Sequence, residues 1–257
     1  MSTILTNIVS NIPILWIEPT LAQVRKLVIW LPGFTDNKEA VANNLRDLAV
    51  AGYVGLSFDP VDHGERSRYP QEGEIIDPTD GAFIADTDGK LYRHFWSIEA
   101  ETADSIPRLI DWAIAELGVV PEVGIGGKSM GGDIAVAAAG LDTRITVVAA
   151  CIATPDWLKP GSIYEVRAPN AAIQAQFDRH NPITNLERYQ HCPAMLFQCG
   201  TADTVVPAAG ALRFSQALAD TYRNCPYKLE VLLEEGVEHE LTETMWHNAL
   251  RWFARFL

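Results

Sequence analysis

The sequence predicts an α/β protein in which a mostly parallel sheet is covered by helices on both faces. Short apolar runs alternate with helix-like segments from about residue 25 to the end, which is the order that parallel βαβ units require. A chain of 257 residues can bury a large core, and α/β sheets of this length often stay one domain. No internal repeat or low-complexity tract interrupts the alternation. We therefore expect a single domain over 1–257.

The predicted core strands are short runs rich in Val, Ile, Leu and Phe, bounded by turn-forming residues. In chain order they are KLVIWLP, VGLSFD, VGIGGKS, ITVVAACIA, AMLFQCG and KLEVLLE. Ahead of them, LTNIVS and ILWIEP flank Asn11 and predict an antiparallel hairpin at the sheet edge. The N-terminal segment has neither the basic region nor the cleavage site of a secretory signal.

The helices are predicted between these strands, where apolar residues recur at helical spacing. They cover 37–51, 95–117, 130–140, 207–222 and 240–257. Two segments break the alternation. In 60–94, Asp88-Gly89 predicts a tight hairpin, and DTDGK there is read as a plain turn because the remaining ligands of a calcium loop are missing. The second segment, 155–191, is expected to form a lid or pocket wall.

The composition excludes several classes of partner. Lys and Arg total 20 against 33 Asp and Glu, so the formal charge of −13 repels nucleic acid and anionic lipid. No run approaches the roughly 20 apolar residues that span a bilayer. The four cysteines lack C-x-x-C spacing, and Cys151 and Cys199 lie in apolar runs that favour buried free thiols. We expect a cytoplasmic protein, a monomer or a homodimer, with no nucleic-acid or membrane partner.

The stretch GIGGKSMGG poses a choice between a phosphate-binding loop and a nucleophile elbow. A Walker A loop needs Gly five residues before Gly127, but that position is Glu122. A dinucleotide fingerprint starting at Gly124 would need Gly or Ala at the position of Ser129. The pattern G-x-S-x-G fits, because a strand precedes Ser129 and a helical run follows it directly. Ser129 is therefore the candidate nucleophile.

A nucleophilic serine needs a general base and a carboxylate that orients the base, each just after a strand and in the order Ser, acid, His. Asp203 follows the strand that ends at Gly200, and His239 lies between the last strand and the last helix. Both residues therefore complete a candidate triad. The backbone N–H groups of Met130, after the nucleophile, and of Phe34, in the Pro-Gly turn after KLVIWLP, are the candidate oxyanion donors.

The combination LPGFTDNKEA, DHGERS, RHFWSIEAE, GKSMGG and GTADTVVP with His239 resembles small bacterial esterases of the α/β-hydrolase superfamily. The branch is the one related to dienelactone hydrolases and to the catalytic domain of prolyl oligopeptidases. The resemblance implies an α/β-hydrolase fold, a carboxylic-ester hydrolase with Ser129, Asp203 and His239 as its triad, and neither a metal nor an organic cofactor. Pro32 stands where many relatives carry His, and the nucleophile is Ser where dienelactone hydrolases use Cys.

We expect a serine carboxylesterase that acts on small short-chain esters through an acyl-enzyme. Peptidase and acyltransferase activities on the same triad remain open, and so does a non-catalytic ligand receptor. The pocket candidates are His63, in the DHGERSR segment, with Trp157 and Tyr164 in the predicted insert. For His63, the alternatives are structural support of the nucleophile elbow and a role as a second general base.

Overall fold

The computed structural model describes residues 3–20, 24–67, 95–163 and 170–257. Within these ranges, eight strands form one sheet in the order β1-β2-β4-β3-β5-β6-β7-β8. The pairs β1/β2 and β2/β4 are antiparallel, and all other neighbouring strands are parallel. The strands are β1 (Ile4–Val9), β2 (Ile12–Ile17), β3 (Leu27–Leu31), β4 (Val54–Phe58), β5 (Val123–Lys128), β6 (Ile145–Cys151), β7 (Ala194–Gly200) and β8 (Leu229–Glu234).

The predicted mostly parallel sheet and the edge hairpin are confirmed. Ser10 and Asn11 form the hairpin turn with positive φ values of 51° and 64°, which Asn tolerates better than most residues. Strands β3, β4 and β7 are buried at every position, because helices cover both faces of the sheet.

The helices found in the described residues are α1 (Ala42–Val50), α2 (Phe95–Ala103), α3 (Ile106–Leu117), α4 (Met130–Leu141), α5 (Ala171–His180), α6 (Ala209–Ala217) and α7 (Glu243–Phe256). One core cluster packs α1 and α7 on one face of the sheet, and another packs α2, α3, α4 and α6 on the opposite face. The sheet is therefore sandwiched between two apolar layers, as the alternating pattern predicts.

Several predicted boundaries were wrong. The predicted helix 95–117 is two helices that separate at Asp104 and Ser105. Pro107 explains the break: it has no N–H, and its ring would clash with the carbonyl four residues earlier in a continuous helix. The segment before α1 is a 3-10 turn, Lys38–Val41, and α6 ends at Ala217 rather than at residue 222.

The predicted insert 155–191 contains α5 and two short 3-10 turns, Pro182–Thr184 and Leu186–Tyr189. Asn170 begins α5 as an N-cap, since its side-chain oxygen accepts hydrogen bonds from Ala172 N and Ile173 N, each at 3.0 Å. The predicted hairpin at Asp88-Gly89 and the calcium alternative in DTDGK lie outside the described residues.

Candidate active site

The functional candidates lie at the carboxyl ends of neighbouring strands. Ser129 follows β5, Asp203 follows β7 and His239 follows β8. Parallel strands end at the same edge of the sheet, so residues that are distant in sequence meet there. The loop after β3, which carries Phe34, reaches the same edge because β3 pairs with β5.

The turn from β5 into α4 holds Ser129 in a strained conformation. Its φ of 52° and ψ of −126° lie outside the regions that ordinary L-residues favour, which is typical of a nucleophile elbow. The turn is also tightly packed. A Cβ at Gly131 would lie 2.6 Å from the Leu31 carbonyl oxygen, and one at Gly127 would lie 2.6 Å from the carbonyl carbon of Gly131. Glycine is therefore required at both positions of G-x-S-x-G.

His239 links the serine to the carboxylate. Ser129 Oγ donates to His239 Nε2 at 2.9 Å, and the opposite ring nitrogen, Nδ1, donates to Asp203 Oδ2 at 2.7 Å. The geometry assigns the proton of a neutral imidazole to Nδ1 and leaves Nε2 as an acceptor facing the hydroxyl. This is the arrangement in which an imidazole can take a proton from serine.

Backbone amides fix the orientation of Asp203. Its Oδ1 accepts hydrogen bonds from Val205 N at 2.9 Å and Val206 N at 2.7 Å, which leaves Oδ2 for the imidazole. The Asp203 carboxylate is buried, whereas the His239 side chain is 25% exposed. A buried carboxylate with this number of donors remains aligned with the ring and stabilises a positive charge on it.

The two candidate oxyanion donors lie on segments next to Ser129. Met130 is the first residue of α4, and the first N–H groups of a helix have no partner within the helix. Phe34 lies after Gly33, and a Cβ added to Gly33 would lie 3.3 Å from the Lys128 side chain. The loop after β3 therefore runs directly beside the elbow.

Residues 101–256 match the sequence model of the Prolyl oligopeptidase family, which is more than half of the chain. The chain belongs to the prolyl oligopeptidase family. YitV of Bacillus subtilis (strain 168) is 25% identical over 266 residues, covering 97% of both chains. YjfP of Escherichia coli (strain K12) is 27% identical over 267 residues, covering 96% of both chains. Both names contain the word esterase.

Among solved structures, TT1662 from Thermus thermophilus aligns with a TM-score of 0.78 at 21% identity, covering 99% of this chain and 98% of that one. The present chain has the α/β-hydrolase fold. As a member of this family, it is a serine hydrolase.

A cavity of about 680 Å³ opens beside Ser129 and His239. Loops from five strand ends enclose it, and its apolar and charged lining residues include Phe34, Asp36, Phe95, Lys128, Ile152, Lys159, Val205, Glu240 and Leu241. Charged groups belong to the lining: Lys128 Nζ lies 2.8 Å from Asp36 Oδ2, and Lys159 Nζ lies 4.5 Å from the centre of the Phe95 ring. The wall of the cavity is therefore partly charged and partly apolar.

Two of the three predicted pocket residues lie elsewhere, and the third is not described. His63 is buried behind the loop after β3, and Trp157 is buried in the core; neither lines the cavity. Tyr164 lies outside the described residues. From the predicted insert, Lys159 and Ser162 line the cavity instead.

Sequence reasoning missed Lys159, which is polar and lies in an irregular segment. Its ammonium is buried 2.9 Å from Asp133 Oδ2, on the first turn of α4. Burial opposes the charge, but Asp133 and Glu99 outweigh it and raise the pKa of Lys159. Lys159 therefore remains a cation in the wall of the cavity.

Within the described ranges, no group of three or more His, Cys, Asp or Glu side chains is arranged to hold a metal ion. Every helix in the described part of the chain is too short or too polar to cross a bilayer. Cys151, Cys192, Cys199 and Cys225 are free thiols, and the first and third of these are buried.

Proposed function

We propose that the chain hydrolyses carboxylic esters with short acyl groups, using Ser129 as nucleophile, His239 as general base and acid, and Asp203 as the orienting carboxylate. One observation carries this assignment: His239 contacts Ser129 Oγ at 2.9 Å through one ring nitrogen and Asp203 at 2.7 Å through the other. The catalytic domain is proposed to extend over 1–257, with 155–191 contributing Lys159 and Ser162 to the pocket wall.

In the first half-reaction, His239 Nε2 takes the proton of Ser129 as Oγ forms a bond to the ester carbonyl carbon. The carbonyl π electrons move to oxygen, and the N–H groups of Phe34 and Met130 stabilise the resulting oxyanion. When the oxyanion collapses, the C–O bond to the alcohol breaks and the alcohol leaves with the proton from His239. An acyl-enzyme on Ser129 remains.

In the second half-reaction, His239 removes a proton from water, and the water oxygen attacks the acyl carbon. Collapse of the second tetrahedral intermediate breaks the bond to Ser129 Oγ, which recovers its proton from His239. Asp203 stays ionised throughout and stabilises the imidazolium that forms in each half-reaction. The products are the carboxylic acid and the free enzyme.

The lining of the cavity supports the preference for short acyl groups. Each methylene that is buried against an apolar wall contributes about 0.8 kcal/mol, but one that meets a charged group gains nothing. Lys159, Lys128 and Asp36 line the same cavity as the apolar Phe34, Phe95 and Ile152. Affinity for the transition state should therefore rise over the first few carbons and then fall.

Amide hydrolysis is the second candidate, because the matching family is named for an oligopeptidase. Acyl transfer to an alcohol would use the same acyl-enzyme, with the alcohol replacing water. Both alternatives keep the three roles of Ser129, His239 and Asp203 and differ only in the leaving group or the acceptor.

A substrate panel tests the proposal on the wild-type chain and on Ser129→Ala. We expect kcat/KM for p-nitrophenyl esters to peak between about two and six acyl carbons, with little turnover of aminoacyl arylamides. Ser129→Ala should lower kcat by about 10⁶-fold, and Ser97→Ala, on α2 outside the cavity, should leave it unchanged. Full activity of Ser129→Ala would refute the serine mechanism. Faster cleavage of the arylamides would favour a peptidase, and a maximum at laurate or longer would favour a lipase.

A further inference from the structure

His63 contacts the loop after β3 through a specific pair of hydrogen bonds. Its Nδ1 donates to the Val61 carbonyl at 2.8 Å, so Nε2 is the acceptor of a neutral ring. That acceptor receives a hydrogen bond from the Thr35 N–H at 3.1 Å. The side chain is buried and does not line the cavity, so it is not placed to act as a second base.

The residue that His63 binds is in an unfavourable conformation. Thr35 has a φ of 68°, in the left-handed region, where a β-branched side chain is a marked outlier. Such a conformation persists only when surrounding contacts determine it. The hydrogen bond from Thr35 N to His63 is a contact of this kind, because it fixes the plane of the peptide between Phe34 and Thr35.

The orientation of that peptide determines where the neighbouring N–H group points. Phe34 shares one peptide with Gly33, through its own N–H, and the next with Thr35. A rotation of the second peptide changes the ψ of Phe34 and the φ of Thr35, so a contact that fixes this peptide restricts the conformations open to Phe34. The rings of Phe34 and His63 also meet edge to face with centroids 5.3 Å apart, so His63 contacts both residues of the pair.

His63 is itself held in a rigid loop. Asp62 and Gly64 both have positive φ values, 61° and 50°, and a Cβ at Gly64 would lie 2.5 Å from the Asp59 carboxylate. Asp59 in turn joins this loop to the segment after Phe34, since it accepts hydrogen bonds from Glu65 N and Lys38 N, each at 3.0 Å. The two loops therefore form one rigid unit on either side of the imidazole.

We propose that His63 is a positioning residue for the oxyanion hole: its Nε2 holds the Thr35 amide, and the Phe34 N–H is thereby kept facing the carbonyl oxygen of the substrate. The inference rests on the proposed function, because it assigns Phe34 to the oxyanion. It predicts that loss of the Nε2 acceptor weakens stabilisation of the transition state and leaves binding of the ground-state substrate unchanged.

Three variants of His63 and one matched control separate these effects. His63→Gln places an amide oxygen near the position of Nε2, whereas His63→Asn reaches only the position of Nδ1. His63→Phe retains a ring against Phe34 and has no acceptor. His180→Asn is the matched control, because His180 is also buried and bonded through both ring nitrogens, to Gln176 O and Asp104, but does not line the cavity.

The readouts are kcat and KM for p-nitrophenyl butyrate and the affinity for an alkyl trifluoromethyl ketone. The serine hydroxyl adds to the carbonyl carbon of this ketone, and the resulting adduct carries an oxyanion. For His63→Asn and His63→Phe we expect kcat and ketone affinity to fall together by about 10- to 100-fold, with KM changed less than about threefold. His63→Gln should retain both within about threefold. His180→Asn should lower only the thermal midpoint.

Equal losses in His63→Gln and His63→Asn would overturn the proposal, because Nε2 would then not be the relevant atom. An unchanged kcat in folded His63→Asn or His63→Phe would also overturn the proposal. Failure of both of these variants to fold would overturn it as well, because His63 would then be a structural residue. Ser129→Ala in the same assay distinguishes failure of the proposed function from failure of the inference about His63. Its retained activity would refute the proposed function, whereas an inactive Ser129→Ala with unaffected His63 variants would refute this inference alone.

Discussion

Two clusters of buried charge flank the Ser129 turn, and they reach electrical balance in different ways. The Asp59 cluster, formed by Lys38, Asp59, Glu39 and Glu65, lies beneath the loop that carries Phe34. Lys38 Nζ lies 2.9 Å from Asp59 Oδ2 and 2.6 Å from Glu65 Oε1. Asp59 is buried, but the Glu65 side chain is 63% exposed, so the excess negative charge is in contact with water.

The Asp133 cluster, formed by Glu99, Asp133 and Lys159, lies beneath the first turn of α4. All three residues are buried, and Asp133 Oδ1 also accepts the Thr154 N–H at 2.6 Å. Among the described residues, none donates a hydrogen bond to the Glu99 carboxyl. Burial, and then the charge of Asp133, raise the pKa of Glu99 well above its ordinary value.

The comparison shows two ways to supply the positive charge that buried carboxylates need. In the Asp59 cluster the carboxylates share one cation, Lys38, and water solvates the carboxylates that are exposed. For Lys38, burial lowers the pKa, but hydrogen bonds to Glu65, Asp59 and Glu39 outweigh that effect and raise it. In the Asp133 cluster one cation lies among two buried carboxyl groups, and the pKa of one of them, Glu99, is raised. This second cluster is consequently the more sensitive to loss of its lysine.

Removal of each lysine is expected to have the largest effect. Lys159→Met keeps much of the volume of the side chain but leaves Asp133 buried without its cation, and it should lower the free energy of unfolding by about 3–5 kcal/mol. Lys38→Met should cost about 2 kcal/mol, since Asp59 keeps its hydrogen bonds from Lys38 N and Glu65 N. Urea unfolding at neutral pH measures both values. A larger loss for Lys38→Met would reverse the comparison.

Isosteric amide substitutions are expected to have a smaller effect and to sharpen the contrast. Asp59→Asn removes a charge that binds Lys38 and should lower the free energy of unfolding by about 2 kcal/mol. Glu99→Gln removes a buried carboxyl whose pKa is raised on folding, so at pH 7 it should leave the free energy of unfolding unchanged or raise it. Thermal or urea unfolding of the two variants at pH 7 provides the test. Equal losses would mean that the Glu99 carboxylate stabilises the folded chain, as the Asp59 carboxylate does.

The smallest effects are expected from a change of one pH unit, and they have opposite signs in the two regions. The pKa of Glu99 is raised from 4.5, so its contribution to stability is complete below pH 4.5 and is lost as the pH rises towards the folded-state pKa. Burial lowers the pKa of His63 from 6.5, against the pull of Asp62, Asp59 and Asp36, so its contribution is present above pH 6.5 and is lost as the pH falls.

The variants Glu99→Gln and His63→Gln remove these two titrations one at a time. Relative to the wild-type chain, the first should gain stability as the pH rises from 4.5, and the second as the pH falls from 6.5, each by at most about 1.4 kcal/mol per pH unit. Urea unfolding in steps from pH 4.5 to 8 measures the slopes. Parallel curves for variant and wild type would show that the group in question does not titrate differently on folding.

The fold was largely predictable because its signals are local. Each core strand is a short apolar run next to a turn, and the break between α2 and α3 was visible in Pro107, although we predicted one continuous helix there. The cavity was not predictable to the same degree. Trp157 was expected in the pocket and is buried in the core, whereas Lys159, two residues later, lines the cavity. An irregular loop has no fixed period that would tell which side chain faces inward.

The sequence by itself determined the strand–turn–helix at Ser129 and the order in which Ser129, Asp203 and His239 follow their strands, since G-x-S-x-G and strand ends are readable from neighbouring residues. The tertiary structure alone decided that His63 meets Thr35 across 28 positions of sequence, and that Glu99, Asp133 and Lys159 share one buried space. These contacts depend on which strands lie side by side and how loops pack above them. Both are set by the burial of the whole sheet and not by any local pattern.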